Sequence, residues 1–236
     1  MAELEKLPPF RDFDLLYIAD FSKPVIDLYF RWGDFYAQIL RHFAQEPFQL
    51  RPSDIRVENA GNTTLADFLL VCHMRNFGIA LRYRIGSAEV FVRDREVSTN
   101  AGLLAAFLKA ALGAVLAVDK DATLRQQTLT ATGHFEVQGP TPIRTRIAHF
   151  GGTVPPGVTP MSVLGVAFAA DLGAGANGAI RIEPSLKYSD RDCGFVRFDC
   201  DFPAATGPLE ACNRTEAFFY ETFERLGLAR EVASSS

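Results

Sequence analysis

Arg82, Arg84, Arg93 and Arg95 stand close together in this chain. A guanidinium fork matches two oxygens of a carboxylate or phosphate at once, so the group could grip an anion or a phosphorylated partner. Arg82 and Arg84 fall two apart in an alternating run, which puts them on one face of a strand, with Arg93 expected beside them. Glu89, Asp94 and Glu96 interrupt the cluster. The plainer expectation is therefore a solvated face with local ion pairs.

A second group carries the opposite sign. Asp190, Asp192, Asp199 and Asp201 surround one hairpin, and Asp199 and Asp201 share a strand face. Paired carboxylates can hold a divalent ion or share a proton. Arg191 and Arg197 offer them ordinary ion pairs instead. An Arg-lined face meeting an Asp-lined face, within the chain or between copies, is a further expectation.

The histidines are His42, His73, His134 and His149. None has the local spacing of a metal pair. His73 sits in an apolar strand and reads as a core histidine. His134 and His149 lie in segments read as strands on either side of the 139–142 turn, which would make them near neighbours capable of acid–base or metal work.

Gly173, Gly175 and Gly178 match G-x-G-x-x-G after an apolar strand. The next segment, AIRIEP, is strand-like, so no helix N-terminus aims at the glycines, and a hairpin loop is expected. Cys72, Cys193, Cys200 and Cys212 form no C-x-x-C pair and read as small buried hydrophobes. No nucleophile elbow, Walker loop, kinase, zinc-finger or helix-turn-helix signature is written here. The candidate binding residues are thus Arg82, Arg84, Arg93, His134, His149, Asp199 and Asp201. No catalytic residue, metal or cofactor is implied.

The element that must position these groups is Ala101–Val118, AGLLAAFLKAALGAVLAV, with Lys109 its one charge. Asn100 can cap it. It is apolar nearly all round, so it needs cover on more than one side. Eighteen residues, many of them Ala, with a central lysine, favour a buried or interface helix over a membrane span. Two further helices are expected at FYAQILRHF after Asp34 and at LEACNRTEAFFYETFERLGLA after Pro208. Strands are expected at VIDLYFRW, IRVEN, ADFLLVCHMR, IALRYRI, EVFVRD, TLRQQTLTATGHFEVQ, IRTRIAHF, MSVLGVAFAAD, AIRIEPSLKY and CGFVRFDCDF.

The fold class is therefore α+β: mostly antiparallel sheet with three helices. The order strands-then-helix occurs twice, over 66–118 and 162–227, and suggests two pseudo-repeated units. That order is loosely similar to SecB-type chaperone subunits, which use large sheets and oligomerise; a similarity of order transfers no function. The expected organisation is an arm at 1–11, one domain over 12–230 that could be two intimately packed halves at 12–150 and 161–230, and a tail at 231–236.

A chain of 236 residues can bury a full core without disulfides. Its 20 phenylalanines carry no polar handle, so most belong in core or at interfaces. The net charge of −4 argues against nucleic acid as a partner. The acidic, Pro-broken start MAELEKLPPF lacks the pattern of a secretory signal, and a cytoplasmic protein with reduced thiols is expected. The expectation is a non-enzymatic binding or assembly protein acting as a homo-oligomer. The alternative is an enzyme or small-ligand binder whose site joins separated His, Asp and Arg residues.

Overall fold

The computed structural model describes residues 8, 10–59, 64–74, 77–93, 100–137, 139–150, 165–189 and 191–228, with the side chains of 59 and 148–150 outside that description. The expected tail, the 151–160 loop, and Asp94, Arg95, Glu96 and Asp190 lie outside the described residues.

Nine strands form one antiparallel sheet: β1 (Phe10–Phe21), β2 (Ile55–Asn59), β3 (Leu70–Met74), β4 (Ile79–Arg84), β5 (Ser87–Val92), β6 (Leu124–Glu136), β7 (Val166–Gly173), β8 (Ala176–Pro184) and β9 (Cys193–Pro203). They lie in the order β2-β3-β4-β5-β1-β6-β9-β8-β7. The two longest strands, β1 and β6, pair at the centre in a register that sets Leu15 opposite Ala131. Residues 10 and 11, expected in an arm, already belong to β1.

The described residues hold five α-helices rather than three: α1 (Asp27–Phe30), α2 (Trp32–Phe43), α3 (Ala101–Val118), α4 (Ile143–Phe150) and α5 (Pro208–Arg225). Two expected strands are helical. In VIDLYFRW the apparent alternation of Ile26, Phe30 and Trp32 faces outward, whereas Val25 and Leu28, three apart, are buried. In IRTRIAHF the buried pair is Ile143 and Ile147, four apart. In both segments the helical period carries the burial, so it wins over the two-residue one.

Helix α3 fulfils its cap: the Asn100 side chain accepts from the Leu103 N–H at 2.9 Å. It packs between α2 and α5 and against β5. Leu104, Phe107, Leu108, Ala111, Ala114 and Val115 are all buried. By length and composition α3 could cross a membrane, and half of it is buried inside the protein. The approach of α2 is close enough that a Cβ at Gly113 would sit 2.9 Å from the His42 ring.

The phenylalanines sort into two clusters beneath the helices. Phe107 meets Phe48 at 4.2 Å between centroids and Phe77 at 5.3 Å. Phe198 meets Phe219 at 4.4 Å, and Phe219 stacks on Phe223 at 4.8 Å. One buried polar pair crosses the core: the Tyr17 hydroxyl donates to Gln127 Oε1 at 2.5 Å. The Gln127 amide in turn donates to the carbonyls of Pro203 and Thr206, which fixes the approach of β9 to α5.

Core burial thus falls mainly on one side of the sheet. The residues of opposite parity form an open face: Arg82 and Arg84 on β4, Glu89 and Phe91 on β5, Leu16 and Ile18 on β1, Thr128 and Thr130 on β6, Asp199 and Asp201 on β9. Replacing Leu108 by Ala should destabilise the protein by about 2–5 kcal/mol, the loss usual for truncating a fully buried leucine. Leu116, on the same helix but 47% exposed, should cost under about 0.5 kcal/mol when truncated. Urea denaturation of both variants checks the contrast.

Candidate functional site on the open sheet face

Strand registers fix what sits beside what. One row across the sheet runs His73, Ala80, Phe91, Leu16, Thr130 and Asp199 from β3 to β9. The next runs Val71, Arg82, Glu89, Ile18, Thr128 and Asp201. Arg93, one residue past β5, reaches towards Asp14 at 4.0 Å.

These rows make an open groove of about 240 Å³ at the β3–β5 end. His73, Ala80, Arg82, Phe91 and Arg93 line it, with Met74, Gly78 and Ile79 at one end. The Phe91 ring is its platform. The Arg93 guanidinium lies 5.0 Å from the ring centroid and that of Arg82 5.9 Å, within cation–π range. Two guanidinium groups therefore share one aromatic ring. Among the described residues their carboxylate partners are loose: Glu89 is 3.8 Å from Arg82 and Asp14 4.0 Å from Arg93. Exposed pairs at such distances stabilise little, so both forks retain donors for an incoming anion.

Of the expected arginine cluster, Arg82 and Arg93 line the groove, Arg84 lies beside it rather than in its wall, and Arg95 is outside the described residues. His73 is not a core histidine. It stands on the open face, its Nε2 3.4 Å from Glu58. Phe91 is legible as a neighbour of the arginines, since it shares parity with Glu89 and Arg93 in EVFVRD. Its use as a platform depends on the β4–β5 register, which the sequence alone does not give.

Asp199 and Asp201 share the same face, and both are occupied. Asp199 accepts from Arg197 at 2.7 Å and from the Thr130 hydroxyl at 2.8 Å. Burial alone would raise its pKa, but these partners hold it below the usual carboxylate value. Asp201 accepts from Thr128 at 2.7 Å and Gln126 at 3.1 Å. Four strand intervals, roughly 19 Å, separate β4 from β9, so Arg82 and Arg84 do not meet Asp199 and Asp201 within the chain. Among the described residues, no three His, Cys, Asp or Glu side chains stand together as a metal site would need.

His134 and His149 are not strand neighbours, because 143–150 is α4; the His149 side chain is outside the described part of the structure. His134 instead pairs across the strands with Asp12 and Phe195. Its Nδ1 is 2.8 Å from Ser185 Oγ, and that oxygen also accepts from the Tyr188 N–H at 3.0 Å. A hydroxyl oxygen carries two lone pairs and one proton, so Ser185 Oγ holds both contacts with either imidazole tautomer. Burial lowers the His134 pKa, Asp12 raises it and Lys187 lowers it, for a net fall. A neutral imidazole agrees with that direction.

Asp12 binds the His134 backbone N–H at 3.1 Å, the Tyr188 hydroxyl at 3.3 Å and the Lys187 ammonium. Ser185 is buried, so its hydroxyl offers no nucleophile to a substrate. The cluster clamps the β8–β9 connection onto β1 and β6. The thiols are equally withdrawn: burial pushes Cys72 up to about 12 and Cys200 up to about 11.

No protein-family model matches this chain, and no curated protein matches it. The site is therefore read from its geometry.

Asp12 gives a pH prediction. Burial would raise its pKa, but the Lys187 hydrogen bond and the charges of His134 and Lys187 bring it below 3.8. A depressed carboxylate stabilises the fold above its unfolded pKa, and that contribution is lost as pH falls through the folded value. Asp12→Asn should lower the denaturation midpoint at neutral pH, and the gap to wild type should narrow once the pH is taken below 3.8. Urea melts at the two pH values measure it.

Proposed function

We propose that this chain is a non-catalytic binding protein that takes an anionic group on its open sheet face, in the groove walled by Arg82 and Arg93. The observation that carries the reading is the pair of guanidinium groups on Phe91, with His73 facing the same space. A carboxylate or phosphate can take a fork from each arginine, and an apolar part of the ligand can lie along Phe91 and Ala80. Among the described residues beside the groove, none supplies an activated nucleophile: Cys72 has the opposite parity to His73 and is buried.

The protein acts as a homo-oligomer in this reading. Supporting it are large apolar side chains left in water, Phe30 at 69% and Trp32 at 52% exposure among them. The cytoplasm suits its four free, buried thiols. The two strands-then-helix units form a pseudo-repeat in the same reading. Its support is that each unit brings its last strand back beside a central strand, β5 on β1 and β9 on β6, and then sends a helix to the same layer.

The test is titration with inorganic phosphate and with phenyl phosphate, followed by calorimetry or amide chemical shifts. Phenyl phosphate should bind more tightly than phosphate. Arg82→Ala and Arg93→Ala should each weaken binding roughly tenfold, as removal of a charge-assisted hydrogen bond does. Arg84→Ala should weaken it less. Equal binding by wild type and the Arg82→Ala/Arg93→Ala double variant would overturn the assignment.

A further inference from the structure

The sheet has two edges, and they are treated differently. Strand β2 is five residues long, with Arg56 and Glu58 exposed and paired to each other at 3.1 Å. Short length and charge are the usual protection of an edge against another strand. Strand β7 is longer, and Asp171 is its one charge. It runs eight residues and is uncharged from Val166 to Ala170. Ala167, Phe168 and Ala169 are exposed, Phe168 at 39%. Among the described residues, β8 is its one strand neighbour.

We infer that β7 is the homodimer interface, where a second copy adds its own β7 antiparallel across a two-fold axis at Ala169. This goes beyond the anion-binding reading and does not depend on it. The register follows from side-chain fit and charge. With the axis at Ala169, Val166 lies opposite Leu172 of the second copy, Phe168 opposite Ala170 and Ala167 opposite Asp171. Large side chains then face small or apolar ones.

Charge selects the same register. On β8, Arg181 is the direct neighbour of Ala167. Asp171 of the second copy therefore lies just across Ala167 from Arg181. The guanidinium is held on Glu183, with Nε at 3.0 Å, and its remaining donors can extend past the small alanine to that carboxylate, a pair the two-fold makes twice. Moving the axis to Phe168 would set Phe168 on itself. It would also set Asp171 opposite Gly165, whose Cβ position is 3.0 Å from Glu183, bringing two carboxylates together. Main-chain hydrogen bonds along β7 supply affinity, as in other strand additions.

A two-fold normal to the sheet continues it from one copy into the next, with both open faces on one side. The groove at β3–β5 stays clear, because β8, β9, β6 and β1 separate β7 from β5.

The test uses the full chain. All four native cysteines are buried, so an introduced surface thiol reports on its own surroundings. Wild type should run as a dimer in light scattering. A169C should give a disulfide-linked dimer on mild oxidation, and A167C should give at least tenfold less. R181D should weaken the dimer at least tenfold at low salt, and R181D with D171R should restore it. The Arg82→Ala/Arg93→Ala variant should dimerise like wild type, so loss of phosphate binding and loss of dimer are read separately. A monomeric wild type, A169C linking no better than A167C, or failure of the charge swap to restore a folded R181D protein would each overturn the proposal.

Discussion

A helix with no polar face has to be enclosed, and α3 imposes that requirement on everything around it. Water can reach few of its positions without cost, since each large apolar side chain buried there is worth about 1.5–3 kcal/mol. The chain meets the requirement by laying α2 along one flank, α5 along the other and the sheet beneath. All three helices are thereby committed to one side. The opposite face of the nine strands is left to polar and half-buried residues, and the chemistry is displayed there. The position of the arginines follows from what α3 needs, as much as from the arginines themselves.

Much of this is legible in the sequence, and the reasons are particular. Asn100, the apolar run after it with Lys109 its one charge, Pro208 and Gly227 mark α3 and α5 because caps and breakers act locally. Gly227 does adopt a left-handed φ of +62°. The hairpins around Gly86 and Gly173–Gly175 are legible for the same reason, with Gly173, Ala174 and Gly175 all at positive φ. The segments 25–32 and 143–150 read wrongly as strands because β-branched and aromatic residues at mixed spacing suit either period. What decides them is which residues find core, a tertiary fact. The arginine cluster can be named from alternation alone. The groove cannot, because Phe91, His73 and Arg93 are brought together by registers between three strands.

The two polar groupings on the open face differ in how far they are satisfied. Around Asp12, each acceptor has close donors, and the ring of His134 is wedged between Tyr188 at 5.3 Å and Phe195 at 5.0 Å. Such a network holds loops in place. Around Phe91, among the described residues, the carboxylates stand 3.7–4.0 Å from the cations, and the groove above the ring is open. Clusters of similar composition therefore carry different meanings: saturation marks the structural one, and residual donor capacity marks the one able to receive something.

The pairing of β1 with β6 also governs how the molecule comes into being. The register joins Leu15 to Ala131, so the sheet's centre is closed by residues far apart in the chain. As the polypeptide leaves the ribosome, β1 to β5 can assemble on α3 first, with β1 as a raw margin awaiting its neighbour. Only when β6 emerges is that margin sealed, and α5 arrives later still to cover the second phenylalanine cluster. Nascent chains stalled between these events would present a long unpaired strand and a row of aromatic rings. Long-range pairing of this kind favours slow folding and leaves a strand edge open to aggregation until it is sealed.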